Sequence, residues 1–171
     1  MASHVFLFLV TRLVTILSGS DTSRCMKKDV NISRAVIWDR LQEVRSAYDN
    51  LEKLKPLVEK WEEDFGPEHQ NLVDELIATA SSNYWNEMAA REGHSLDDLI
   101  RTLWESWDEG EYTSENIPDG VQVYVTKCPM ADAFRAIGRV DLGVQFFCNE
   151  DEHIVAGFNP SIKFSRTKTL M

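Results

Sequence analysis

From Ile32 onward the apolar positions recur at helical spacing. Ile37, Leu41, Val44, Tyr48 and Leu51 follow one another at alternating steps of four and three, a single stripe along a helix. Pro56 is expected to end or kink that helix, because proline lacks the amide donor and its ring clashes with the preceding turn. A further turn with Leu57, Val58 and Trp61 follows and stops at Phe65-Gly66-Pro67. Pro67 suits the first turn of a second helix, where its missing donor costs nothing. Leu72, Val73, Leu76, Ile77, Ala80, Tyr84 and Met88 mark one face of that helix, and Gly93 stops it. Ser95, with Asp98 three residues on, opens a third helix as a relative of the capping box. Its buried face is expected to hold Leu96, Leu99, Ile100, Leu103, Trp104 and Trp107.

Beyond this point the pattern changes. Asp108 to Gly120 is acidic and turn-rich, and reads as a linker. Val121, Val123 and Val125 then alternate with Gln122, Tyr124 and Thr126, a half-buried strand closed by Cys128-Pro129. Ala131 to Ile137 reads as a short helix ended by Gly138, and Val144 to Cys148 as either strand or buried helix. His153 to Phe158 and Ile162 to Thr169 read as two more strands about the turn Asn159-Pro160-Ser161. The fold class is therefore α+β: a helical N-terminal half of about three helices packed with a small, mainly antiparallel C-terminal sheet and a short helix.

Composition places this pattern in a folded chain: 43% hydrophobic and 27% charged residues over 171 positions suit one domain with its own core. That domain is expected over residues 29–171. Ahead of it, residues 1–28 form an apolar extension. Val5 to Leu17 is interrupted by Arg12 and falls short of the roughly 20 apolar residues a membrane span needs, so no stable membrane insertion is expected. Only His4 precedes the apolar run, where a signal peptide places its positive charge, although Ser18-Gly19-Ser20 resembles a cleavage region. Met26, followed by Lys27 and Lys28, reads better as the natural start of a cytoplasmic protein. The net charge of -10 opposes attraction to phosphate backbones, and no basic stripe is interleaved with aromatics, so nucleic acid is not an expected partner. Cys25, Cys128 and Cys148 are too few and too scattered for a disulfide framework.

No metal-site spacing, nucleophile elbow or phosphate-binding loop occurs, so the metal and any other cofactor stay unknown. Candidate chemistry concentrates in the last third. Cys128 lies at a strand-to-helix junction, where a helix N-terminus lowers a thiol's pKa. Cys148 and Asn149 lead into the acidic run Glu150-Asp151-Glu152, and Arg166 lies on a late segment with Lys163 and Lys168. Each has a plainer reading. A cysteine beside Phe146-Phe147 packs as a small hydrophobe. An acidic run forms a solvated turn, and His153 opens a strand. His69 and His94 are capping or surface residues. Arg166 either pairs with the acidic turn or grips a substrate carboxylate as a bidentate fork.

The stretch VTKCPMADAFRAIGRVDLGVQFFCNEDEHIVAGFNPSIKFSRTKTLM joins several of these residues. It has a CP dipeptide after a strand, a cysteine with a nearby acidic residue about twenty positions on, and a closing RT-x-TL segment. Through Cys128, Pro129, Cys148, Asp151, Asn159, Pro160, Arg166, Thr167 and Leu170 it resembles the signature region of the L-2-amino-thiazoline-4-carboxylic acid hydrolase family, and the likeness extends over roughly residues 45 to 171. The resemblance implies a hydrolase that opens a cyclic isothiourea to N-carbamoyl-L-cysteine, with a small-molecule substrate. It implies Asp151 as base or amidine anchor, Cys128 and Cys148 as nucleophile or metal ligand, and Arg166 with Asn149 on the substrate side. Family members continue past the RT-x-TL segment into a stretch with another cysteine, so the resemblance also implies a C-terminally truncated, even inactive, member.

Two other classes stand beside the hydrolase. A noncatalytic small-molecule sensor would enclose an apolar pocket with few polar groups. A helical interaction protein would expose the Ile37 to Leu51 stripe as a dimer seam, although barely two heptads are present. Assembly into a homo-oligomer is left open. A hydrolase, by contrast, requires Cys128, Asp151 and Arg166 to converge on one cleft.

Overall fold

The structure is a computed structural model and describes residues 33–171. The apolar extension, the start at Met26 and Cys25 fall outside the described residues. Helix α1 (Arg34–Arg45) begins at Ser33, whose hydroxyl accepts the Val36 amide at 3.3 Å, and it buries Ile37, Leu41 and Val44 as the stripe predicts. The stripe does not continue as one helix. The chain turns over Ala47 to Asn50, and the Asn50 side chain caps α2 (Leu51–Asp64) by accepting the Lys53 amide at 3.1 Å. Pro56 therefore lies inside α2, and the break expected there falls ahead of it. The physical reason is local. A proline within a helix removes the donor for the carbonyl four residues back, here that of Glu52, an exposed residue. The restart also shifts the helical phase, leaving Leu51 45% exposed.

A 3₁₀ turn over Pro67–His69 leads into α3 (Gln70–Glu92), which buries Val73, Leu76, Ile77, Ala80 and Ala89. Gly93, at φ 110°, ends it in a backbone region that L side chains rarely adopt. Helix α4 (Leu96–Ile100) carries the predicted capping box between Ser95 and Asp98 and runs on as a π-helical turn over Arg101–Glu105. Of its expected buried face only Leu99 is fully buried. Trp104 and Trp107 are half-buried and meet edge-on at 5.7 Å, while Trp104 also leans on Tyr112 at 5.4 Å.

The stretch read as a linker contains a strand. β1 (Glu111–Ile117) pairs antiparallel with β2 (Gly120–Lys127) about the turn Pro118-Asp119, with Ile117 opposite Gly120. The alternation read from β2 holds, with its valines half-buried and Gln122, Tyr124 and Thr126 outward. β1 shows no such alternation because nearly every residue in it is exposed; it pairs with β2 and sets the half-buried Tyr112 against Trp104.

Among the described residues this hairpin is the whole of the sheet. After it come α5 (Pro129–Ala136), stopped before Gly138 at φ 74°, and α6 (Val140–Phe146). A 3₁₀ turn over Cys148–Glu150 then leads into α7 (Asp151–Phe158). Two expected strands are thus corrected. His153 to Phe158 is helical, burying Ile154, Val155 and Phe158 on one face, with Asp151 and Glu152 favourably placed in the first turn. Ile162 to Thr169 has no regular structure, so Arg166, Lys163 and Lys168 lie on an irregular segment. The α+β class stands, with an N-terminal helical region, a small antiparallel sheet and further helices.

One apolar cluster gathers Ile37, Leu41, Leu54, Val58, Trp61 and Ile77 with Phe134 and Phe146. A second joins Ala89 and Leu99 to Val155 and Phe158 of α7. Helix α7 crosses α3 so closely that a Cβ on Gly157 would lie 2.5 Å from the Ser82 carbonyl oxygen. The α1 stripe faces this core, so the exposed dimer seam required of a helical interaction protein is absent from it.

Candidate active site

The site is built where β2, α6 and α7 end or begin. Cys128 follows the last residue of β2 and precedes Pro129, the first residue of α5, as the sequence predicts. Its thiol is half-buried and burial pushes its pKa up. The amides of Ala131 and Met130 pull the other way without closing a capping bond, while Asp132 and Asp151 add to the rise. The helix N-terminus, expected to lower this pKa, is outweighed by desolvation.

Cys148 opens the short turn between α6 and α7. Its Sγ lies 3.3 Å from the Thr169 hydroxyl, and its thiol is also pushed up, mainly by burial and further by Asp151. The Cys148 carbonyl accepts from Arg166, whose Nη1 donates to Asp151 Oδ2 at 2.8 Å as well. Asp151 is pushed up to about 6 because withdrawal from water outweighs the attraction of Arg166, with Glu150 adding to the rise. The carboxyl is nonetheless reachable, with 41% of its side-chain surface exposed.

Arg166 thus joins the Cys148 carbonyl and Asp151 by direct contact. Cys128 belongs to the same neighbourhood in that Asp151 raises its pKa and Cys128 in turn raises that of Cys148. Asn149 stands apart. It is exposed and lines an open hollow of about 210 Å³ with Gln70, Asp74, Asp141 and Gln145, among whose lining residues none of those four residues occurs. His153 lies within α7 next to Glu152, and His94 sits at the α3–α4 junction, where its Nδ1 is 3.4 Å from the Phe158 carbonyl. Asn159 is structural: it donates to the His94 carbonyl at 2.7 Å and accepts the Ser161 amide at 2.9 Å. The tail returns to the core at its end, where the Met171 sulfur packs on Gly143.

Two residues near the site escaped the sequence reading. Arg45 Nη2 donates to Glu150 Oε1 at 2.7 Å, and the Ser81 hydroxyl donates to Glu150 Oε2 at 3.0 Å. The acidic run is thus not one solvated turn: Glu150 points inward, Asp151 faces Arg166 and Glu152 faces solvent. A signal existed for Arg45, since it falls four residues after Leu41 and eight after Ile37, in phase with the buried stripe. Among the described residues, no three His, Cys, Asp or Glu side chains are grouped to hold a metal ion.

These features define an α+β protein with two protonated thiols, one raised carboxyl and one guanidinium gathered between a β-hairpin and its C-terminal helices. The family model for L-2-amino-thiazoline-4-carboxylic acid hydrolase matches residues 48–171, well over half of the chain, and the chain belongs to that family. No curated protein and no solved structure matches it.

Proposed function

We propose that the protein hydrolyses a cyclic isothiourea, L-2-amino-thiazoline-4-carboxylate, to N-carbamoyl-L-cysteine. The observation that carries this reading is the Asp151–Arg166 pair beside the Cys148 turn, in a chain of this family. In the proposed reaction Asp151 takes a proton from water, whose oxygen adds to the ring carbon between nitrogen and sulfur. The carbon–sulfur bond then breaks, its electrons leave with the sulfur, and the addition of one water accounts for the whole product. A carboxyl with a pKa of about 6 suits this role, since it is ionised at neutral pH yet basic enough to accept the proton.

The thiols take a different part. Both are pushed up, so at neutral pH they are S–H groups rather than nucleophilic thiolates. Cys148, beside Asp151, supplies the proton to the departing sulfur and is restored by the proton Asp151 took from water. The second water proton, released as the hydroxyl becomes the carbonyl, passes to the ring nitrogen. Among the described residues Arg166 is bonded through Nη1, and its Nη2 and Nε edge is assigned to the substrate carboxylate. Asn149, on another face, is dropped from the substrate contacts. Half-buried free thiols support the cytoplasm as the compartment. The acidic net charge supports a small-molecule rather than a nucleic-acid partner. Among the described residues, no helix is long and apolar enough to cross a membrane.

The test is turnover of the thiazoline by the purified chain, followed by thiol release and product mass. Ring opening by the wild type that vanishes in Asp151→Asn supports the reading. A folded wild type without turnover, with and without added divalent metal, removes it.

A further inference from the structure

Beneath the proposed site lies a second arginine. The turn from Phe147 to Asp151 is held from outside by Arg166, which bonds the Cys148 carbonyl and the Asp151 carboxylate. From inside it is held by Arg45, which bonds Glu150 at 2.7 Å and lies over the Phe147 ring at 5.1 Å from its centroid. Ser81 of α3 holds the other oxygen of Glu150 at 3.0 Å. Little of this inner network reaches water, with the side chains of Arg45 and Glu150 only 7% and 16% exposed.

Burying such a pair is costly, and a well-packed apolar pair in its place is often as stable or more so. Stability alone is thus a weak account of it. What the network does provide is direction. Glu150 is the residue before Asp151, so gripping both of its oxygens from two different helices sets the backbone from which Asp151 and Cys148 project. Arg45 belongs to α1, ahead of the residues that match the family.

We propose that Arg45, Glu150 and Ser81 are positioning residues that hold the Cys148–Asp151 turn in its reactive setting, an inference that rests on the hydrolase reading for its catalytic consequence but not for its structural one. The network touches no substrate and acts through the turn. The test therefore uses a readout independent of turnover: the rate at which iodoacetamide alkylates Cys148 in the full chain, resolved by peptide mass, with Cys128 as internal reference.

The main variant is Arg45→Met/Glu150→Met, which removes both charges of this ion pair together. In it, with thermal unfolding still cooperative, Cys148 alkylation is expected to rise at least about fivefold relative to Cys128, because a loosened turn exposes the thiol. The kcat is expected to fall roughly 10–100-fold with KM held within about twofold, as misplacement of reacting groups requires. Arg45→Lys, which keeps the charge but not the planar fork, gives a smaller change of the same sign and carries the test if the double variant does not fold. Unchanged Cys148 reactivity in a folded variant overturns the proposal. A Cys148 response in a protein whose wild type shows no turnover retains the positioning network and discards the hydrolase reading. Unchanged reactivity with full turnover does the reverse.

Discussion

Asp151 is pulled in two directions, and both have measurable consequences. Its carboxyl, at about 6 in the folded chain, would titrate near 3.9 unfolded. Between those values the folded state binds the proton more tightly. This group therefore lowers stability as pH rises from about 4 to 6 and leaves the penalty in place above that. Asp151→Asn is expected to lose at least roughly 10²-fold in kcat, the share usual for a general base, while its Tm at neutral pH stays level or rises and no longer carries this group's contribution to the pH dependence in that window. Calorimetry across the window, alongside turnover, checks both; a marked fall in Tm would mean that the pairing with Arg166 matters more than the desolvation. In the wild type kcat/KM should climb as pH rises through about 6. Arg166→Ala is expected to move that midpoint upward, since the guanidinium holds the carboxyl down. It should also raise KM by roughly 10–100-fold, the worth of about 1.5–3 kcal/mol for a charged hydrogen bond. A rise in KM with an unmoved midpoint would separate Arg166 from Asp151.

Among the elements, α3 and α7 cross closely, because Gly157 has the Ser82 backbone where a side chain would begin. Gly157→Ala is expected to force the helices apart and cost about 1–3 kcal/mol, as overpacking does. Urea unfolding measures it, and a loss near zero would show that α7 can slide. That same crossing marks where sequence reading succeeded and failed. Long amphipathic faces were legible: α1, α3 and the alternation of β2 are read directly from their periodicity. Helix α7 was not, because six residues rich in Ile, Val and Phe satisfy strand and helix templates alike, and only packing on α3 decides between them. β1 was hidden for the opposite reason, being largely polar, with only Tyr112 and Ile117 as bulky exceptions, and paired with β2. For the site, residue type together with the family likeness proposes Cys128, Cys148, Asp151, Arg166 and Asn149. The fold puts Asp151 against Arg166 and sets Asn149 on a separate hollow, as neighbours in a 3₁₀ turn point to different sides. Arg45 and Ser81 escaped because they lie far away in sequence from Glu150 and join it only in the fold.

At the scale of the whole molecule, the family match begins at residue 48, yet the core does not. Ile37, Trp38, Leu41 and Val44 of α1 are buried against α2, α3 and the C-terminal aromatics. Fully burying each such side chain contributes about 1.5–3 kcal/mol, so together they rival the roughly 5–15 kcal/mol by which folded domains are stable. Losing α1 also strips Glu150 of Arg45 and leaves a carboxylate facing the interior, a further penalty of about 3–5 kcal/mol. A fragment of residues 48–171 is therefore expected to lack a cooperative unfolding transition and to bind a hydrophobic dye, whereas one beginning at residue 29 should unfold cooperatively. Scanning calorimetry of the two fragments decides the point. If 48–171 melts cooperatively with near-native Tm, α1 is an accessory, and both the single domain over 29–171 and the placement of Arg45 beneath the site lose their basis. If only the longer fragment folds, the helix ahead of the family match is as much a part of this protein's structural unit as the cysteines within it.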